Sequence, residues 1–596
     1  MASPVPGRAA AAIAALAAVV TAAGCAAVPT NGPVQTGAGQ NAFSQEQVYS
    51  QPIPEGPGPH WSPAQIVAGF LSASASFVDN HAVAREYLDS TARQDWQPGW
   101  AVTVVSDNLT TTLVSVPKPL ASQQLQFAKV VATGLPVATL SDTGQYKPST
   151  GPGQPYLYHL VKLNGQWRID SLPTTQLLLT QTDFQHVYQS RDLFYLTGSG
   201  QSLVPDPVFV PEEATNTELA TGLVNALLQA PTGWLADAAQ TGFPRGSYRI
   251  GQVRINGPNA TVDLGGKAAT VSRAQLMKMA AQLVWTLESG PTSVQSVQLE
   301  LNGRPEAVAG RPYQLLPDYH GWLQNQPSGS SLYYLGSDGV VLTLAGAGQQ
   351  GPGRASAIQG EAGTGNVPPL SSIAVSPDRR WLAGIAKGGN DVYVGGMTRG
   401  AALRELQSPG GTVTSLSWDP EGDLWVAAGG AVWMYPPGAG TPLAVVASTG
   451  AKVTYFRVGP DGVRAAMIVK GTSGGKPDTV IQVAAITRAD GGVSMGVPLT
   501  IGSGLAGPEQ LSWYGTDNLI ALAGSPAGLY EVPLNGGQPT SIPVTGGEPV
   551  SVTATGPENG PDDIAVGLSN GTIVVSAGPS GFEPTQAVGS VPVYPG

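Results

Sequence analysis

Few residues of this 596-residue chain are spaced for chemistry. Gly471-Thr472-Ser473-Gly474-Gly475 has the G-x-S-x-G spacing of a nucleophile elbow. An elbow sets its serine on a sharp turn from a strand into a helix. Here Val480–Ile486 reads as another strand, so the expectation is a hairpin loop. Ser115-Val116-Pro117-Lys118 has S-x-x-K spacing, but Pro117 is incompatible with a helix interior, and no K-T-G accompanies it. His60, His81, His159, His186 and His320 stand singly, with no second histidine at metal-ligand spacing, so no metal is expected. Asp419, Glu421 and Asp423 have oxygens enough for calcium, but they recur where related segments carry turn residues, and a turn is expected. Asp562-Asp563 reads as a loop in the same way, and Asn108-Leu109-Thr110 is a glycosylation sequon by pattern alone. No pair of carboxylates is singled out for glycoside hydrolysis. No catalytic residue, cofactor or cofactor-binding residue is therefore assigned. What remains is one thiol, Cys25, in the whole chain.

The setting of that thiol is informative. Ala9–Ala23 is an uncharged run behind Arg8. It is shorter than the roughly 20 apolar residues of a membrane span and suits a secretory signal. Val20-Thr21-Ala22-Ala23-Gly24-Cys25 resembles a bacterial lipobox. The resemblance implies that Cys25 is acylated on sulfur, becomes the first mature residue and is N-acylated. Several acyl chains, at about 0.8 kcal/mol per buried methylene, anchor a protein stably without a spanning helix. The expectation is a cell-membrane protein, lipid-anchored on the extracytoplasmic face, with residues 1–24 as signal peptide.

Composition bounds the rest. Charged residues are 12% of the chain, and 78 glycines with 52 prolines make up about a fifth of it. That balance favours short strands and turns. A net charge of −11 argues against a nucleic-acid ligand, which needs a basic footprint. Residues 25–61 carry the cysteine and a Pro/Gly-rich linker that cannot bury enough surface to offset its ordering entropy.

Three folded segments follow. Residues 62–190 open on Ser62-Pro63-Ala64-Gln65, a capping box, with a helix through Ile66, Phe70 and Leu71. A second helix is expected over Asn80–Trp96. Period-two strands follow, with Asn164-Gly165 as a type I′ turn. Helices followed by a curled antiparallel sheet resemble the NTF2-like or cystatin-like cone, here expected to hold a packed core. Residues 191–310 alternate strands with two helices, one capped by Asn216 and one over Ser272–Leu287. The order of "LFYL", "LVP", "ALLQAP", "ATVDL", "QLVWTL" and "VQLELNG" resembles a GerMN domain. Residues 311–596 repeat. Ile373–Asp378, Leu416–Glu421 and Phe456–Asp461 align, with Leu511-Ser512-Trp513 and Val552-Thr553-Ala554 continuing the series. Four short strands per 40 or so residues suggest β-propeller blades, about six of them; a β-sandwich array is the alternative. The fold class expected is thus multidomain, two α+β modules and an all-β propeller.

Signal, linker with "VPTNGPV" (Val28–Val34), α+β domain, GerMN-like domain and propeller, in that order, resemble the LpqB family of actinobacterial lipoproteins. The resemblance implies a non-enzymatic accessory of the MtrA–MtrB two-component system, acting on the extracellular domain of an MtrB-like sensor histidine kinase in envelope homeostasis and division. A cell-wall scaffold that binds peptidoglycan is the alternative. In that case Trp381, Trp425 or Trp433 would stack on sugars, although blade tryptophans more often fill cores.

Overall fold

The structure is a computed structural model. It describes residues 54–99, 101–115, 126–149, 151–173, 177–212, 215–290, 292–323, 331–348, 351–448, 450–473, 476–489, 491–556, 563–578 and 581–596. All of them fall in one compact unit.

The first domain begins as its sequence dictates. Ser62 caps the helix Pro63–Ser74, and Gln65 reaches back to complete the box. Ile66, Val67, Phe70 and Leu71 are buried against two four-stranded sheets. The expected second helix is instead two, Ala82–Glu86 and Ser90–Asp95. Tertiary pairing breaks it. Ile169 N–H donates to the Tyr87 carbonyl at 2.9 Å, and Asp89 N–H donates to the Ile169 carbonyl at 2.9 Å. Asp89 then caps the second piece through Ala92 N–H at 2.7 Å. The Asn164-Gly165 turn has φ of 49° and 83°, and it joins Gln154–Leu163 to Gln166–Ser171 as expected. The interior is filled by aromatics. Phe70 meets Trp96 edge-on at 5.3 Å and Tyr158 at 6.2 Å, and His81 packs on Phe77 at 4.6 Å.

The second domain is built on the hairpin of Tyr188–Thr197 with Leu203–Pro211. Its helix Asn216–Leu227 is capped by Thr215, one residue before the expected Asn216, because Thr215 Oγ1 accepts from Glu218 N–H at 3.2 Å. The helix Arg273–Glu288 buries ten side chains and joins the parallel strands Asn259–Gly266 and Ser296–Leu301. Gln282, fully buried within it, accepts from Gly242 N–H at 2.5 Å and donates to the Phe194 carbonyl at 2.7 Å. A buried amide satisfied at both ends fixes the helix against the hairpin.

The third domain is a β-propeller, and among the described residues it has six blades. Its inner strands are Gly589–Val593, Leu370–Val375, Val413–Trp418, Lys452–Val458, Pro508–Tyr514 and Pro549–Ala554. The first blade combines Leu332–Gly336, Val341–Gly348 and Gly351–Ala357 with the end of the last strand, through the pairs Tyr333–Val593 and Gly336–Gly589. The other end of that last strand, Phe582–Val588, closes the sixth blade. One strand therefore zips the ring shut. Adjacent blades are also tied by hydroxyls on the inner strands. Phe456 and Val458 N–H donate to Ser415 and Ser417 at 2.9 and 3.1 Å, and Ala554 N–H donates to Ser512 at 2.8 Å. These amides face the channel and would otherwise lack partners.

The domains do not hang separately. One hydrophobic cluster contains Leu193, Val208 and Leu235 of the second domain together with Ile481, Leu511, Trp513 and Leu534 of the fourth and fifth blades. Tyr146, Phe184, Tyr188 and Phe209 form a further aromatic joint between the first two domains, with ring centroids 4.9–5.5 Å apart.

Candidate functional site

Three places gather ionisable side chains. The first is the turn that follows the inner strand of the third blade. Asp419 is fully buried. Its Oδ1 accepts from Asp423 N–H at 2.8 Å, and its Oδ2 accepts from Trp425 Nε1 at 2.8 Å and from Arg488 Nη2 at 2.5 Å. Glu421 and Asp423 lie 3.8 and 3.7 Å from the same guanidinium. Arg488 also donates to the Gly462 carbonyl at 2.7 Å and lies over the Trp425 ring at 5.6 Å. Burial, and then the Asp419 charge, push the Asp423 and Glu421 carboxyls above their ordinary range. The three carboxylates thus surround an arginine from the neighbouring blade, which takes the place a cation would need. Among the described residues no group of His, Cys, Asp and Glu is arranged for a metal.

The second place is the contact between the second domain and the propeller. Arg464 is completely buried. Its Nε pairs with Asp461 at 2.6 Å, Nη1 donates to the Pro205 carbonyl at 3.2 Å, and Nη2 donates to the Thr516 carbonyl at 2.6 Å. Trp513 lies beneath it at 5.1 Å. A buried charge with its donors satisfied holds an interface in register. Pro205 belongs to the second domain, and the other partners belong to the propeller.

The third is the channel, where a propeller enzyme would place its chemistry. The Arg457 guanidinium donates to the Leu511 carbonyl at 3.3 Å, to the Leu416 carbonyl, and to Tyr455 Oη at 2.9 Å. Gly596 N–H donates to the Val375 carbonyl at 2.9 Å. The cavity left beside Arg457 and Tyr594 is about 20 Å³, room for one water.

A larger cleft, of about 220 Å³, opens between the second and third blades. Its walls are Pro377, Trp381, Val394, Leu406, Trp418, Tyr435, Pro436 and Pro437, and Asp378, Arg404 and Glu421 bring charge to it. The Trp418 indole donates to the Ala374 carbonyl at 3.3 Å, and Tyr435 Oη donates to the Gln407 carbonyl at 2.6 Å. Both rings are buried, whereas Trp381 is 45% exposed.

The residues singled out from sequence are scattered. Cys25 lies outside the described residues, as do Gly474, Gly475, Asp562 and the Val116–Lys118 part of the S-x-x-K match. The G-x-S-x-G segment joins the strand Arg464–Ser473 to the strand Lys476–Ala489, a hairpin with no helix after it. Ser106-Asp107-Asn108, an S-D-N triplet just ahead of Ser115 that sequence reasoning passed over, serves a helix end: Asp107 Oδ1 accepts from Thr182 N–H at 2.9 Å. Asp563 lies in the loop just ahead of the strand Ile564–Leu568, as expected. It is buried and accepts from Tyr514 Oη and Ser576 Oγ, both at 2.7 Å, tying the sixth blade to the fifth. Of the three tryptophans, Trp425 is fully buried and stacks on Phe456 at 5.5 Å. Trp433 is half-buried, and Trp381 alone of the three is exposed. Arg457, Arg464 and Arg488 escaped notice because each is a lone cation in an apolar alternation, which reads as an outward-facing position.

A propeller closed by its own C-terminal strand, with a strand–helix module and an aromatic-filled α+β domain packed beside it, defines a three-domain scaffold of broad surfaces. Comparison with known proteins narrows the class. Residues 56–185 match the N-terminal domain of lipoprotein LpqB, and residues 348–595 match the LpqB beta-propeller domain. Residues 192–307 match a family described as sporulation and spore germination. Lipoprotein LpqB of Thermobifida fusca is 32% identical, over 90% of this chain and 91% of that protein. Lipoprotein LpqB of Streptomyces avermitilis is 31% identical over 96% of each. The first GerMN domain of the sporulation protein GerM from Bacillus subtilis covers 21% of this chain and 91% of that domain, at 18% identity and a TM-score of 0.18. The chain belongs to the LpqB lipoprotein family. Its domains are of non-catalytic type, and among the described residues no helix is long and apolar enough to cross a membrane.

Proposed function

We propose that this lipoprotein is held by acylated Cys25 on the extracytoplasmic face of the cell membrane and regulates a sensor histidine kinase of the MtrA–MtrB type by binding its extracellular domain. It does so as a recognition body and not as an enzyme. A membrane tether raises the effective concentration of two proteins that share the plane. The observation that carries the reading is an apolar sheet face on the first domain. Phe127, Leu157 and Leu163 alternate onto one side of the paired strands Phe127–Gly134 and Gln154–Leu163, and each is more than a third exposed. Val114, on the adjoining strand, is 59% exposed. On the same face the Lys129–His159 pair lies between Phe127 and Leu157, so exposed apolar side chains are interspersed with polar ones, and exposed apolar groups of this kind mark protein-interaction surfaces.

The test is binding of the full-length protein, in detergent, to the purified outer domain of an MtrB-like sensor. The expected result is saturable binding that Phe127→Asp with Leu157→Asp weakens at least tenfold while thermal unfolding stays cooperative. No binding at high micromolar concentration refutes the reading.

A further inference from the structure

The cleft between the second and third blades goes beyond that reading, because it lies on the propeller and its chemistry differs from that of an apolar sheet. We propose that this cleft is a carbohydrate-binding site that takes one or two pyranose rings of a neutral or N-acetylated glycan, with the Trp381 indole as stacking platform.

The argument starts from what is left unused. Trp418 and Tyr435 spend their polar atoms on backbone carbonyls of the second blade and the linker that follows it, so they offer the cleft only apolar surface. Trp381 begins the second strand of its blade, where its backbone is fixed by an N–H bond to Ser376 Oγ at 3.0 Å, and it keeps 45% of its surface in water. The exposed part of this indole, beside proline walls, is left in water by the fold. The C–H face of a pyranose is the complement of such a ring, as other apolar faces are.

The charged groups at the cleft select among ligands. Asp378 and Glu421 are acceptors, while Arg404 is a donor that makes no ion pair among the described residues. Acceptors and a donor together match vicinal hydroxyls, which both donate and accept. A polyproline peptide offers carbonyl acceptors only, and the grooves that take it are lined with donors and parallel aromatics; here two of the three rings have their donors engaged. A strongly cationic or anionic ligand would meet Arg404 or the two carboxylates as a like charge. The volume, about 220 Å³, is below the roughly 300–1,000 Å³ of pockets that enclose a drug-sized molecule. The cleft therefore takes a short piece of a chain that continues beyond it.

Titration of the full-length protein in a non-glycosidic detergent tests this, followed by calorimetry and tryptophan emission. The probes are chitotetraose, cellotetraose and a decaproline peptide. The expected result is saturable binding of at least one saccharide with a change in emission. Trp381→Ala should weaken it at least tenfold, Trp381→Tyr should restore most of it, and Tyr248→Ala, at a still more exposed aromatic on the second domain, should leave it unchanged. Binding of neither saccharide overturns the proposal, as does saccharide binding indifferent to Trp381→Ala, or binding of decaproline alone. Trp381→Ala should still bind the sensor domain, so failure here and failure of sensor recognition are read separately.

Discussion

His81 shows how one residue is committed by its surroundings. It is 3% exposed, in a left-handed backbone conformation with φ of 59°, and it packs on Phe77 and on Trp96 at 5.3 Å. Burial holds its pKa down at about 4, aided by the Arg85 charge and opposed by backbone contacts from Ser74 and Ser76. The unfolded chain binds this proton near pH 6.5 and the folded chain only near 4. Between those values the unfolded state carries more protons, so stability falls as pH falls and is fully present above 6.5. At about 1.4 kcal/mol per pKa unit the loss reaches roughly 3 kcal/mol at most. Thermal melts from pH 7 to pH 4 should drop, and His81→Asn, which tolerates the left-handed conformation, should flatten the part of that slope due to this site. An unchanged slope would place the acid sensitivity elsewhere. Sequence offered His81 only as a solitary histidine. Its burial depends on Phe77, Trp96 and the broken helix, none of which a pattern of spacing reveals.

At the scale of elements, the decisive piece is the last strand, Phe582–Val593. Its first half completes the sixth blade and its second half supplies the inner strand of the first. At the closure Tyr594 N–H donates to Thr553 Oγ1, and Tyr333, Leu335 and Gly336 pair with Val593, Ser590 and Gly589, so an open ring leaves backbone groups of the strand Leu332–Gly336 without partners. Leaving such groups unpaired costs about 1–3 kcal/mol each. Deleting residues 589–596 should therefore lower the thermal midpoint of the propeller strongly and expose the strand Leu332–Gly336 to protease. A truncated protein that melts like the parent would refute the closure. The five aligned segments of the repeat were readable, since each is an apolar alternation ending in a Pro/Asp/Gly turn. That the odd strands at either end belong to one blade was not readable, because they lie some 250 residues apart and pairing leaves no local mark.

For the molecule as a whole, the proposed function rests membrane attachment on Cys25 and recognition on the folded body. Cys25→Ala should release the protein from the membrane fraction, or leave an uncleaved precursor, while the melting of the body stays as it was. Full retention of a processed form in membranes would require a second anchor. Within the body the second domain and the propeller are fused by a shared core from Leu193 to Leu534 and by Arg464 reaching the Pro205 carbonyl, and the first domain joins the second through Tyr146, Phe184, Tyr188 and Phe209, so a partner meets several surfaces at fixed relative positions. The sequence by itself determined the sole thiol and the lipobox-like run before it, the order of the domains and the repeat. Each of these is a matter of residue type and short spacing, which survive in one dimension. Only the tertiary structure decided that Arg488 occupies the carboxylate cluster, that Arg457 bridges backbone carbonyls of the two blades beside its own, that Trp381 is exposed where Trp425 is buried, and that a cleft opens between two blades. Those facts depend on which strands from distant parts of the chain become neighbours, and burial and charge pairing are properties of neighbours in space.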